Sequence, residues 1–181
     1  MTKQIRDLLE YEGETYSLNT YILDSYEKDV KKTFSGTTTA LYRGYVATFC
    51  IKDDYLYIKD LRSFYQATGG FMSILKDNFP DSKRCNWFSG LLRIDKTKGY
   101  FDDEKEDYTF EYLEIYKGHF IGKRTMDYYE LQRFKVTQFQ HFKKTEAYQK
   151  MFNNLQNAYD DAYKADTIIL KRILRLITEV V

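Results

Sequence analysis

Proline occurs once in the 181 residues, tryptophan once, and histidine and cysteine twice each. Each scarcity excludes something. The lone Pro80 leaves the chain almost without obligatory helix breaks. His119, His141, Cys50 and Cys85 form no pair motif with metal-ligand spacing, so no metal and no cofactor is expected. Cys50 and Cys85 sit among apolar neighbours in predicted strands, which predicts buried free thiols in a reducing compartment. Long apolar runs are also missing. The N-terminal MTKQIRDLLEYEG lacks the apolar segment of a secretory signal, and no stretch could span a bilayer. The expectation is a cytoplasmic protein with no membrane partner.

Excess charge of one sign is absent as well. Lys and Arg number 28 against 27 Asp and Glu, so bulk charge draws the chain toward no particular partner. The distribution is mildly uneven, with the acidic excess before residue 120 and the basic excess after it. Catalytic motifs are missing too. Ser89 in NWFSG lacks the glycine two positions earlier that a nucleophile elbow requires. Gly69-Gly70 is followed by no Lys-Ser or Lys-Thr at phosphate-loop spacing. Glu111 and Glu114 would point to opposite faces of one strand, which separates them for acid-base work. No catalytic residue is assigned.

What the chain does contain is tyrosine, 18 copies beside 13 phenylalanines. Tyrosine suits sheet margins, where its ring is buried and its hydroxyl stays wet, and it also suits binding faces. The clearest register lies in Thr37 to Leu61. A β-forming run, Ala40 to Lys52, meets Asp53-Asp54 and then an alternating run, Tyr55 to Asp60. A two-residue hairpin there sets Ile51 opposite Leu56, Phe49 opposite Ile58 and Ala47 opposite Asp60. A first hairpin is predicted for Leu8 to Tyr11 and Thr15 to Leu18. A third, Tyr108 to Tyr116 with His119 to Arg124, places Ile115 opposite Phe120 and Glu111 opposite Arg124. Leu23 to Lys32 reads as a short exposed helix that Ser35-Gly36 ends. Phe71, Ile74, Leu75 and Phe79 have helical spacing up to Pro80. Arg84 to Ile94 reads as a strand broken at Ser89-Gly90, with Trp87 and Phe88 on opposite faces, and Asp102 to Asp107 as a solvated loop.

Beyond Met126 the period changes. Tyr128 to Phe142 fits either helix or strand, Thr145 to Tyr163 is helical, and a last helix starts at an Asp166 N-cap and runs to Glu179. The class is therefore α+β, with an N-terminal antiparallel sheet of hairpins over residues 1–125 and a helical extension over 126–181 packed on it.

Two sets of residues are candidates for binding. Arg43 lies on an apolar face, where it either pairs with a buried carboxylate or meets an anionic ligand or partner. With Tyr55, Tyr57 and Trp87, and with Lys171, Arg172 and Arg175 beside the apolar stripe of the last helix, it makes a candidate partner-binding set. That stripe must cover the sheet, a second copy or another protein, so a homo-oligomer is one expectation. Arg133, Lys135, Lys143, Lys144 and Lys150, among Phe134, Phe139, Phe142 and Tyr148, form the alternative, a nucleic-acid-binding stretch.

The segments TALYRGYVAT (Thr39 to Thr48), Tyr55 to Asp60, and WFSGLLRI (Trp87 to Ile94) resemble an uncharacterised family of small bacterial proteins. That family has tryptophan where Tyr42 and Phe49 stand here. The resemblance implies a small sheet-containing domain and carries no activity. The functional expectation is a small non-catalytic interaction protein, an inhibitor, immunity or regulatory factor of bacterial or phage type, whose partner is another protein. Nucleic-acid binding and an enzyme with a site around Arg43 are the alternatives.

Overall fold

The computed structural model describes residues 4–30, 39–81, 83–94, 106–159 and 162–181, without the side chains of 27–30, 159 and 162. The Ser35-Gly36 helix stop and residues 102–105 of the acidic run lie outside the described residues. The class is α+β, as expected.

Three hairpins use one device. The pairs are β1 (Leu8–Tyr11) with β2 (Glu14–Ser17), β3 (Val46–Lys52) with β4 (Tyr55–Tyr65), and β7 (Phe110–Tyr116) with β8 (His119–Met126). Their two-residue turns, Glu12-Gly13, Asp53-Asp54 and Lys117-Gly118, hold both residues at positive φ, the mirror-image turn whose twist matches paired strands.

Near each of two turns the register is the expected one, with Ile51 opposite Leu56, Phe49 opposite Ile58 and Ile115 opposite Phe120. Farther out a bulge intervenes in both. Ala47 faces Leu61 rather than Asp60, because Lys59 is an extra residue in β4. The shift keeps Leu61 on the buried face with Leu56 and Ile58. Glu111 likewise faces Thr125 rather than Arg124. Arg124 instead donates to Glu114 at 2.9 Å, and Lys123 pairs with Glu111 at 2.6 Å.

Other expectations are corrected. The sheet is mixed, since β1 lies parallel to β3, with α1 (Ile22–Val30) inside the connection between them. Helix α1 is not the exposed helix expected, because Ile22 and Leu23 are fully buried and Asp24 to Tyr26 are partly buried. The strand expected from Ala40 starts only at Val46, after the chain turns at Gly44 with φ +77°. Phe71 belongs to strand β5 (Gly70–Ser73), paired with β4, and only Leu75–Asn78 is helical (α2). Of Arg84 to Ile94, only Gly90–Arg93 is a strand (β6); Cys85, Trp87 and Phe88 lie in the connection before it, so Cys85 is buried without being in a strand.

Tyr128–Phe142 is helix α3, and local chemistry resolves its ambiguity. Asp127 and Glu130 make a reciprocal capping box at its start. Helices α4 (Glu146–Tyr159) and α5 (Ala162–Leu176) follow. Asp166 is not an N-cap; it lies one turn inside α5 and accepts from Tyr148 Oη at 2.6 Å and Lys143 Nζ at 2.7 Å. Burial alone would raise its carboxyl, but these two donors outweigh it and hold it below the usual aspartate range.

The strand order is β2-β1-β3-β4-β8-β7-β6, with β5 also on β4. Strands β4 and β8 share only the Tyr55–His119 pair, so two half-sheets meet at one point. Gly118 secures that point. Its N–H donates to Phe88 O at 2.8 Å, and its carbonyl accepts from Leu56 N–H at 2.8 Å.

Two apolar clusters result. One holds Leu9, Phe49, Leu56, Ile58 and Leu61 with Phe88, Leu92 and Leu113. The other lies under the helices and holds Leu91, Phe110 and Tyr112 with Leu131, Phe139, Tyr148, Ile169 and Ile173. Strands β6 and β7 feed both, alternate residues going to each. The apolar stripe of α5 therefore covers its own core. Gln138, 1% exposed, fixes the chain end by bonding both backbone groups of Val181.

A Cβ on Gly118 would come within 2.7 Å of the Cys85 carbonyl oxygen, while Gly13 has nothing within 4 Å. Both glycines have positive φ, so alanine at either position costs about 1–2 kcal/mol in backbone strain. Chemical denaturation should show Gly118→Ala losing clearly more stability than Gly13→Ala. Equal losses would mean that the junction tolerates separation.

Candidate functional site

Arg43 occupies the turn before β3, not the strand face expected for it. Its guanidinium lies over the rings of Tyr21 and Tyr45, at 4.0 and 4.7 Å. It donates to Asp7 at 2.8 and 3.3 Å and to Ile5 O at 3.0 Å. Asp7 is fully buried and also accepts from Ala47 N–H at 2.9 Å. Burial pushes the Asp7 carboxyl above the usual aspartate range, against the opposing pull of Arg43 and the Ala47 N–H. Arg43 thus has the buried-carboxylate partner that its apolar setting requires. The pair ties the segment before β1 to the start of β3, which sequence reasoning could not see because 36 residues separate the partners.

The other expected partner-binding residues are dispersed. Tyr55 is half-buried at the half-sheet junction, with Arg84 over its ring at 3.2 Å and His119 edge-on at 4.6 Å. Tyr57 is half-buried and bridges to Arg84 through the backbone. Trp87 packs against Tyr26 and Phe79 on the first core, with centroids at 4.7 and 5.8 Å. Lys171, Arg172 and Arg175 are exposed on α5 and gather with Lys135 and with Arg93 of β6 around one small cavity. Arg93, 2% exposed, gives only a weak sequence signal, a lone arginine within the apolar run LLRI.

The stretch 133–150 is divided. Arg133, Lys144 and Lys150 are exposed, Lys143 is held by Asp166, and Lys135 is buried. Phe139, Phe142 and Tyr148 are core residues and present no stacking surface.

Among the described residues the open surface lies on the first half-sheet. Its inner residues, such as Leu9, Ala47 and Leu61, are buried, and their alternates face outward. On that outer face Ile5, Leu8, Val46 and Phe71 line a groove of about 540 Å³. Charged pairs border it, Lys59 with Glu10 at 2.5 Å and Arg62 with Asp60. The groove runs to β5, whose sequence GFMS is uncharged. Among the described residues β4 is the only strand paired with β5, so its outer edge has no strand upon it.

The ladder fixes which groups face that edge. Ile74 N–H donates to Leu61 O, so the backbone groups of alternate residues point toward β4, and those of Phe71 and Ser73 point to the open edge. Phe71, Met72 and Tyr65 are 43%, 49% and 45% exposed. Sequence reasoning missed this strand because Phe71, Ile74, Leu75 and Phe79 satisfy helical spacing. The signal was the Thr68-Gly69-Gly70 turn at the end of an alternating run.

Among the described residues no group of three or more His, Cys, Asp or Glu could hold a metal ion, and no helix is long and apolar enough to cross a membrane. No protein-family model, curated protein or solved structure matches the chain. The segments Thr39 to Thr48, Tyr55 to Asp60 and Trp87 to Ile94 converge on the first core, through Tyr45, Ala47, Leu56, Ile58, Phe88 and Leu92. What they share is packing rather than a site.

Two measurements check this description. Arg43→Met should cost about 3–5 kcal/mol in denaturant titrations by leaving a buried carboxylate unpaired, and adding Asp7→Asn should recover part of the loss. If Arg43→Met costs under 1 kcal/mol, the pair is only a surface contact. Burial pushes both thiols up, most strongly the fully buried Cys85. Thiol labelling of the native protein should therefore reach Cys50 first and Cys85 only at the rate of unfolding.

Proposed function

We propose that the protein is a non-catalytic interaction module. It binds another protein by accepting an extended segment of that partner as an extra strand on the outer edge of β5. The observation that carries this reading is the uncharged edge Gly70-Phe71-Met72-Ser73 beside an apolar groove. Exposed edges are ordinarily blunted by charge, proline or a covering element, because their free backbone groups invite pairing. This edge has no charge and no proline, and no strand covers it among the described residues.

Strand addition draws affinity from main-chain hydrogen bonds and specificity from alternate side chains that enter pockets. Here the outward backbone groups of Phe71 and Ser73 supply the first, and the groove beside Phe71 supplies the second. The bordering pairs, Glu10–Lys59 and Asp60–Arg62, offer both signs of charge to orient an incoming chain. An inhibitor, immunity or regulatory factor would use such a surface. The mild net charge of +1 matches a partner chosen by shape and apolar contact rather than by field.

Affinity purification from the source cells, with mass measurement of the complex, tests the idea. One partner should accompany the wild type and the Val136→Lys control, and Phe71→Lys should reduce its recovery at least tenfold. In the purified complex the amides of Phe71 and Ser73 should gain hydrogen-exchange protection. A partner retained by Phe71→Lys, or a wild type that elutes alone, would sink the reading. A dimer of this chain lost in Phe71→Lys would replace the foreign partner with a second copy.

A further inference from the structure

Five basic side chains from three elements surround one cavity of about 40 Å³. Arg93 comes from β6, Lys135 from α3, and Lys171, Arg172 and Arg175 from α5. Among the described residues none that lines it is acidic. The cavity holds on the order of three waters, the space that one tetrahedral oxyanion displaces. Asn19 and Thr20, from the connection between β2 and α1, and Tyr112 of β7 also line it and add neutral hydrogen-bonding groups.

The cluster is not a solvated helix face. Lys135 is 8% exposed and Arg93 is 2% exposed, with its guanidinium 5.1 Å from the centre of the Phe110 ring. Arg93, Lys135, Tyr112 and Arg175 are each engaged with neighbours. Those contacts hold their side chains at the cavity wall, while the exposed Lys171 and Arg172 reach the cavity from α5. Favourable interaction with the C-terminal end of the α5 dipole accounts for Arg175 near that end. It does not account for Arg93 and Lys135, which arrive from a strand and from another helix. Arginine guanidinium groups match the geometry of oxyanions, and low-dielectric walls strengthen the attraction.

We infer that this cavity binds a phosphate group, free or carried on a small molecule. Arg93 and Lys135 form the floor, and Lys171 and Arg172 close over the anion. The site is independent of strand addition at β5, to which none of its lining residues belongs.

Calorimetric titration with inorganic phosphate and with pyrophosphate, at constant ionic strength set by chloride, tests this inference. Saturable binding of one anion per chain is expected. The exposed double variant Lys171→Gln/Arg172→Gln should weaken it at least tenfold while keeping the wild-type thermal transition. The control Lys144→Gln/Lys150→Gln, which removes the same charge elsewhere, should leave it unchanged, as should Phe71→Lys. Absence of saturable binding, or equal weakening in both double variants, overturns the site. A single-stranded oligonucleotide that binds where phosphate does not, and loses affinity in the control variant, would assign the charge to nucleic acid instead.

Discussion

The close approach at Gly118 is the constraint on which the remaining architecture depends. Two half-sheets that share a single residue pair have little intrinsic reason to stay together. The β7–β8 turn makes the connection by pressing its glycine against the Cys85 carbonyl while bonding Phe88 on one side and Leu56 on the other. Only a residue without Cβ can do both at positive φ. With the junction closed, Leu56 and Ile58 of one half reach Leu92 and Leu113 of the other, and the first core is continuous. Arg84, stacked on Tyr55, and His119 against the same ring surround this point with aromatic and cationic contacts.

The two half-sheets then differ in how their outer faces are treated. Helices α3 to α5 bury the outer face around β6 and β7, so Gly90–Arg93 is buried on both sides. On the first half-sheet the described residues leave the outer face open, with a groove and an unpaired edge. The buried charges follow the same division. Asp7 and Arg43 hold the first half together at its start, and Arg93 stands beneath the helices of the second. Burying charge is costly unless it is paired, which makes each of these positions intolerant of losing one partner.

Much of the local structure was legible in the sequence. The three hairpins, the pairs next to two of their turns, and the helical character of Glu146–Tyr159 and Ala162–Leu176 follow from alternation, turn residues and 3.6-residue spacing. The bulges at Lys59 and Ile121 were not legible, because an extra residue in one strand is decided by which register buries Leu61 and Met126. Residues 71–79 were misread for a related reason. A four-residue strand followed by one helical turn produces the spacing of a longer helix. Asp166 was read as a cap because aspartate favours that position, whereas Tyr148 and Lys143, on or beside the preceding helices, claim its carboxylate. The binding surfaces were read least well. Lys135 and the α5 cations belonged to separate candidate sets, and the two sets meet only around the Arg93 cavity.

By itself the sequence determined the α+β class, the turn positions and the faces of the short-range elements, since these depend on neighbours a few residues apart. For Arg43 it left two alternatives, a buried carboxylate or an anionic ligand. The tertiary structure alone decided that the carboxylate is Asp7, that α5 covers its own core, and that β5 is left as an uncharged edge. Those outcomes depend on contacts between distant segments, where burial and packing choose among partners that local pattern leaves equivalent.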